Sequence, residues 1–176
     1  MNNIQIRPAT EADFDAMWGI FRAHVASGET DVHGLDTTRT DGYDYWFAPR
    51  ARTFVAVKGE DRVRGMYKLQ PNHADRGAHV ATAAYMVSPN AQGVGLGRLL
   101  GEHSIGEARR AGYLAMQFNY VVGTNSPAIH LWKRLGFSIV GTLPKAYRHR
   151  RLGYVDAYVM YQLLHDPARW AMPGEN

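Results

Sequence analysis

Short runs in which apolar and polar residues alternate are separated along this chain by stretches whose apolar residues fall at helical spacing. Ile4-Gln5-Ile6-Arg7 alternates and predicts a first strand. Thr10-Glu11-Ala12-Asp13 has the spacing of a capping box, and Phe14, Met17, Trp18, Phe21 and Val25 then mark one buried helix face. Ser27 to Asp31 ends that helix. A second, shorter helix holds Tyr43, Tyr45, Trp46 and Phe47 before Pro49 stops it. Residues 53–57 and 63–69 predict strands joined by the turn Lys58-Gly59-Glu60-Asp61. After a polar loop, Pro71–Gly77, a fourth strand spans His79 to Val87 and runs into a glycine-rich turn. The helix behind the turn reaches Arg110 and stops at Gly112. Leu114–Val122 predicts a fifth strand, Ser126–Leu135 a helix, and Phe137–Leu143 and Tyr154–Leu164 the last two strands.

The order β-α-α-β-β-β-α-β-α-β-β combines hairpins with β-α-β crossovers. It implies an α/β fold: a mixed sheet with helices on both faces. At 176 residues the chain fits one domain large enough for a full core. No run approaches the ~20 apolar residues of a membrane span, and the first residues lack the apolar core of a signal peptide. The absence of cysteine excludes disulfides, thiolate metal sites and a cysteine nucleophile, and with the other features favours a cytoplasmic protein.

The net charge of +4 mildly favours acidic small molecules. The densest basic run, Lys145 to Arg151, reads as a solvated loop between two strands. Without further basic stripes a nucleic-acid surface is not expected. The eight histidines show no metal-ligand spacing, so no metal is expected.

The chemistry concentrates at Val87-Ser88-Pro89-Asn90-Ala91-Gln92-Gly93-Val94-Gly95-Leu96-Gly97-Arg98. Glycines at alternate positions bare the backbone, and the helix behind them adds unpaired N–H groups and the positive end of its dipole. Together these make an anion cradle. A P-loop needs Lys followed by Ser or Thr after its last glycine, and Arg98-Leu99 stands there instead. A dinucleotide site wants its glycines early in a βαβ unit and an acid about 20 residues on, yet residues 114–120 contain none. A glycine turn with no ligand is the bland alternative.

Gln92-x-x-Gly95-x-Gly97 resembles the pyrophosphate motif of the GCN5-related N-acetyltransferase (GNAT) superfamily. Asn125-Ser126-Pro127-Ala128-Ile129-His130-Leu131-Trp132-Lys133-Arg134-Leu135-Gly136-Phe137 resembles that family's second signature, Asn-x-x-Ala-x-x-Leu-Tyr-x-Lys-x-Gly-Phe. The resemblance covers residues 4–164 as one N-acetyltransferase domain and leaves 165–176 as a C-terminal tail. Residues 118–125 and 153–157 are similar to a subgroup that acetylates azetidine-2-carboxylate and other proline analogues. Phosphinothricin-type amino-acid acetyltransferases are broader relatives.

The resemblance implies a central six- to seven-stranded mixed sheet whose strands four and five splay apart around the pantetheine arm of acetyl-CoA. It implies that backbone groups of Tyr85, Met86 and Val87 pair with the pantetheine, with the Val87 N–H near the thioester oxygen. Gln92, Gly93, Val94, Gly95, Leu96, Gly97 and Arg98 would hold the pyrophosphate, and Asn125, Ala128 and Trp132 would flank the cofactor. It also implies direct attack by an amine, with an amino acid or analogue as acceptor. Glu29, Thr30, Trp46, Tyr85, Asn119, Tyr120 and Tyr154 are the candidates for the acceptor pocket. Asn125 is equally explained as a helix N-cap, and Trp46 as packing of the second helix.

Two residues depart from the pattern. Trp132 stands where the family has a tyrosine acid, and an indole N–H cannot serve as that acid at neutral pH. Thr82 stands where the proline-analogue subgroup has asparagine. The fourth strand also carries no Asp or Glu, so the expected proton route is a water relay bounded by Thr82 and Asn119, with Glu29 the carboxylate alternative. A peptide or protein acceptor and a non-catalytic acyl-CoA-binding module are the competing functions. A homodimer is an expectation from resemblance alone.

Overall fold

Reciprocal capping at Thr10 starts the first helical segment. Thr10 N donates to Asp13 Oδ2 at 2.8 Å, while both Arg7 Nη atoms donate to the same carboxylate at 2.8 Å. The Arg7 hydrogen bonds, helped by Thr10, hold the Asp13 carboxyl down at about 2. The computed structural model describes residues 4–59, 62–166, 168 and 170. In it β1 (Ile4–Pro8) passes through a 3-10 turn, Glu11–Asp13, into α1 (Phe14–Ser27), which Gly28 ends at φ 61°. Thr38 and Asp41 form a second capping box at the start of α2 (Arg39–Trp46).

The remaining elements are β2 (Arg52–Lys58), β3 (Arg62–Pro71), β4 (Val80–Val87), α3 (Leu96–Arg110), β5 (Ala115–Val122), α4 (Ser126–Arg134), β6 (Ser138–His149) and β7 (Gly153–Leu163). They build one seven-stranded sheet in the order β1-β2-β3-β4-β5-β7-β6. Neighbours pair antiparallel except β4 and β5, which the α3 crossover makes parallel. This is a mixed sheet with its one parallel pair between strands four and five, as expected.

Alternation sorts the strand residues onto two cores. Phe54, Tyr67, Leu69 and Met116 pack with Leu96, Leu100 and Trp132 under α3 and α4. Val55, Met66 and Met86 face the other way, against Phe14, Met17, Phe21 and Trp46 of α1 and α2. The strand that matters most for function therefore has two different faces, one toward each helix layer.

The parallel pair is short. Only Val80–Ala115 and Ala81–Met116 are in register, and beyond them β4 and β5 separate. β5 is itself irregular between Phe118 and Val121 in its pairing with β7.

The basic run is a correction. Lys145–His149 is strand, not loop, and only the turn around Arg150–Leu152 joins β6 to β7. Tyr147 and His149 are buried, and Lys145 absorbs a register shift at φ 50°. Alternation was hidden because inward Tyr147 and His149 sit among outward arginines. Glu60 and Asp61 of the expected turn, and residues 167, 169 and 171–176 of the tail, lie outside the described residues. Among those described, no helix is long and apolar enough to cross a membrane.

Candidate active site

Where β4 and β5 part, a cleft of ≈ 520 Å³ opens through the sheet. Thr82–Val87 of β4 and Phe118–Val122 of β5 form its sides. Gly97, Asn125, Ala128, Leu131 and Trp132 close it on the α3/α4 face, and Thr30–His33, Tyr45 and Lys68 close it on the α1/α2 face.

Hydrogen-bond direction decides what β4 offers to this cleft. Asn72 N donates to Val80 O, and Ser88 N donates to Arg64 O, both at 2.8 Å. Even-numbered residues of β4 therefore bond to β3, and odd-numbered ones turn their N–H and C=O toward β5. Past Ala81 no strand meets them, so Ala83, Tyr85 and Val87 present backbone groups to the cleft. His24 donates from Nε2 to Val87 O at 2.8 Å, which leaves the Val87 N–H available. Met86 is placed otherwise than expected: its backbone faces β3, and its side chain lies in the α1 core.

The glycine turn enters α3 with Gly93 at φ 76° and Gly95, the N-cap, at φ 79°. No side chain caps the helix, and the first intrahelical bond is Leu99 N to Gly95 O at 3.2 Å. The amides of Leu96, Gly97 and Arg98 are therefore left for an anion. Gly97 lines the cleft, and a Cβ there would stand 3.4 Å from Leu131 Cδ2. Gln92, Gly93, Val94 and Gly95 are exposed, and none of the four lines the cleft. Arg98 is drawn to Glu102, with Nε 2.7 Å from Oε1. Bare amides at a helix end suit a diphosphate, and free strand groups suit an amide-bearing arm; both features of coenzyme A are matched by donors in place.

On α4, Asn125 Oδ1 accepts from Ala128 N at 3.2 Å, so Asn125 is the N-cap and also lines the cleft. Trp132 packs its indole against Tyr85 and Phe118, each 4.7 Å between centroids, and forms a wall. Tyr85 Oη is 2.7 Å from Ser104 Oγ, and burial pushes its hydroxyl above the usual range. Its ring is thus wall, not a titrating group.

On the acceptor side, Gln117 donates to Asn119, which donates to Asn72 Oδ1 at 2.5 Å. Tyr120 is anchored by its hydroxyl to Ala146 O. Asp31 holds His33 through Oδ1 and Nδ1 at 2.6 Å, and Tyr147 Oη donates to Asp31 O at 3.0 Å. Thr82, Thr30, Asn119 and Tyr120 converge on the cleft.

Three expected residues do not. Glu29 pairs with Arg151 at 2.5 Å, away from the lining. Trp46 is fully buried beneath α1, where Phe21 and Tyr45 pack edge-on to it. Tyr154, at 67% exposure, starts β7 opposite Arg148 and points to solvent.

Lys68 was not anticipated. It is 7% exposed and lines the cleft, donating from Nζ to Tyr45 O at 2.8 Å and sitting 3.3 Å from the centroid of that ring. Burial lowers its ammonium to about 8. The signal available in the sequence was a lysine between Tyr67 and Leu69 in an apolar strand. Among the described residues no group of three His, Cys, Asp or Glu could hold a metal.

The Acetyltransferase (GNAT) family matches over residues 18–137. A GCN5-related N-acetyltransferase from Kribbella flavida superposes with a TM-score of 0.87 at 40% identity, covering 91% of this chain and 97% of that one. The yncA acetyltransferase of Salmonella typhimurium, solved with its cofactor acetyl-CoA, gives 0.84 at 26% identity, covering 99% and 100%. N-acetyltransferase aca1 of Schizosaccharomyces pombe is 29% identical over 152 residues, 77% of this chain and 72% of that protein.

Proposed function

The chain belongs to the Acetyltransferase (GNAT) family, and from that premise we propose that it acetylates the amine of a small molecule, an amino acid or an analogue of one. GNAT acetyltransferases use acetyl-CoA, which supplies the reactive thioester carbonyl. The observation that carries the small-molecule reading is the roof over the acceptor side of the cleft. Thr30–His33 and Tyr45 close it, and the loop is pinned by Tyr147 Oη to Asp31 O and by Arg150 N to Gly28 O at 3.1 Å. A peptide acceptor would need an open groove across the sheet.

In this reading the amides of Leu96, Gly97 and Arg98, with the glycines before them, hold the diphosphate. The free backbone of Ala83, Tyr85 and Val87 would pair with the pantetheine as it would with the strand it lacks. The Val87 N–H donates to a developing oxyanion, and one such donor is worth roughly 3–4 kcal/mol of barrier. Holding amine and carbonyl together supplies much of the remaining rate. Thr82 and Asn119 bound the water route by which the amine loses its proton, since β4 has no carboxylate and Glu29 is engaged elsewhere. Trp132 packs and donates no proton. Asn119 and Asn125 support the likeness to proline-analogue acetyltransferases, and Thr82 departs from it.

The test is to mix the protein with acetyl-CoA and a panel of amino acids, amino-acid analogues and short peptides, and to follow free thiol. Small amines should release thiol and peptides should not. A higher kcat/KM for peptides would give the acceptor to proteins. Cofactor binding without thiol release from any amine would leave an acyl-CoA-binding module.

A further inference from the structure

Lys68 is a buried cation that makes no ion pair among the described residues. Burial lowers its pKa. Tyr45 of α2 touches it, and the Asp31–His33 pair of the loop and Gln70 and Thr82 of the sheet line the same cleft. Asp31 is already committed to His33. The carbonyl of Tyr45 takes one Lys68 N–H, and the ring takes one face of the ammonium. Both contacts favour the charged form, which argues for a standing cation and against a proton acceptor. An ammonium so desolvated gains most from an anion brought in by a ligand.

We propose that Lys68 is the subsite for a carboxylate carried by the amine acceptor. This inference rests on the small-molecule reading above and deepens it. Asn119 gives one of its two amide N–H groups to Asn72 and is neutral, so it attracts a carboxylate less strongly than an ammonium does. Lys68 lies opposite Ala84 in the β3–β4 register, and Val87 is three residues further along the strand. That spacing is ~10 Å along the backbone, a length that an acetyl group and an amino acid laid end to end can cover within the one cleft that both residues line.

Lys68 also caps the end of α2 through Tyr45 O, so the test must separate recognition from structure. The chain has four lysines, Lys58, Lys68, Lys133 and Lys145, which makes lysine-selective carbon-13 labelling readable, with Lys68→Arg supplying the assignment. The labelled protein, with coenzyme A present, is titrated with glycine, alanine and proline and with the amide of each, to about 50 mM, well above a millimolar Kd. Lys68 should titrate at higher pH with an acid bound and stay where it was with the amide. In thiol release, Lys68→Met should raise the KM of the acids about tenfold or more, leave kcat within about threefold, and leave the amides unchanged; Lys68→Arg should recover most of the loss. Equal losses for acid and amide, or a Lys68 resonance that no acid moves, overturns the proposal. If no amine releases thiol, the small-molecule reading fails on its own, and the Lys68 titration with the same acids still decides the subsite.

Discussion

His24 donates from Nε2 to Val87 O at 2.8 Å, so a side chain of α1 grips the last carbonyl of β4 where the strand has lost its neighbour. Because a carbonyl only accepts, the proton sits on Nε2. The grip fixes the Val87–Ser88 peptide, whose N–H bonds to Arg64 O, and so holds Val87, whose own N–H in the preceding peptide faces the cleft. His24→Ala should lower kcat about fivefold, the equivalent of one net hydrogen bond of about 1 kcal/mol. Steady-state kinetics on a folded variant checks it, and His24→Gln should restore part of the rate.

Gly95 caps α3 at φ 79° with no side chain over the amides. Gly95→Glu forces a left-handed residue, at ~1–2 kcal/mol, and brings a negative charge to the donors. Calorimetric titration should find coenzyme A affinity abolished while circular dichroism stays native. Affinity equal to wild type would remove the turn from the pyrophosphate site.

Asn119 links Gln117 to Asn72 across the gap between β5 and β3. Asn119→Ala should raise the acceptor KM about tenfold, because it removes an amide that lines the cleft and can hydrogen-bond the acceptor. The KM for acetyl-CoA should move less than about twofold. An unchanged acceptor KM takes Asn119 out of the pocket.

Asp13 is held at about 2 by Arg7, below an ordinary 3.8. A depressed carboxyl stabilises the fold above the unfolded value and loses that contribution as pH falls through the folded one. Asp13→Asn should therefore cost about 2 kcal/mol at neutral pH, with the gap to wild type closing between about pH 4 and pH 2. Urea denaturation at a series of pH values reads it directly.

Local chemistry determined most of the fold from the sequence alone. The apolar runs at residues 53–57 and 79–87, the capping box at Thr10, the N-cap at Asn125 and the glycines before α3 act within a few residues, so they are legible without coordinates. The same holds for the absence of a carboxylate on β4 and for Trp132 in the tyrosine position. Contacts between distant segments decided the rest. Trp46 and Tyr154 look alike as aromatic candidates, yet one is sealed under α1 and the other stands in solvent. Glu29 went to Arg151, which is 122 residues away. Lys68 reads as an outward lysine in a strand until α2 lays the Tyr45 ring and carbonyl against it. Burial and charge pairing depend on which elements pack together, and that is a property of the tertiary structure, while periodicity and capping belong to the chain.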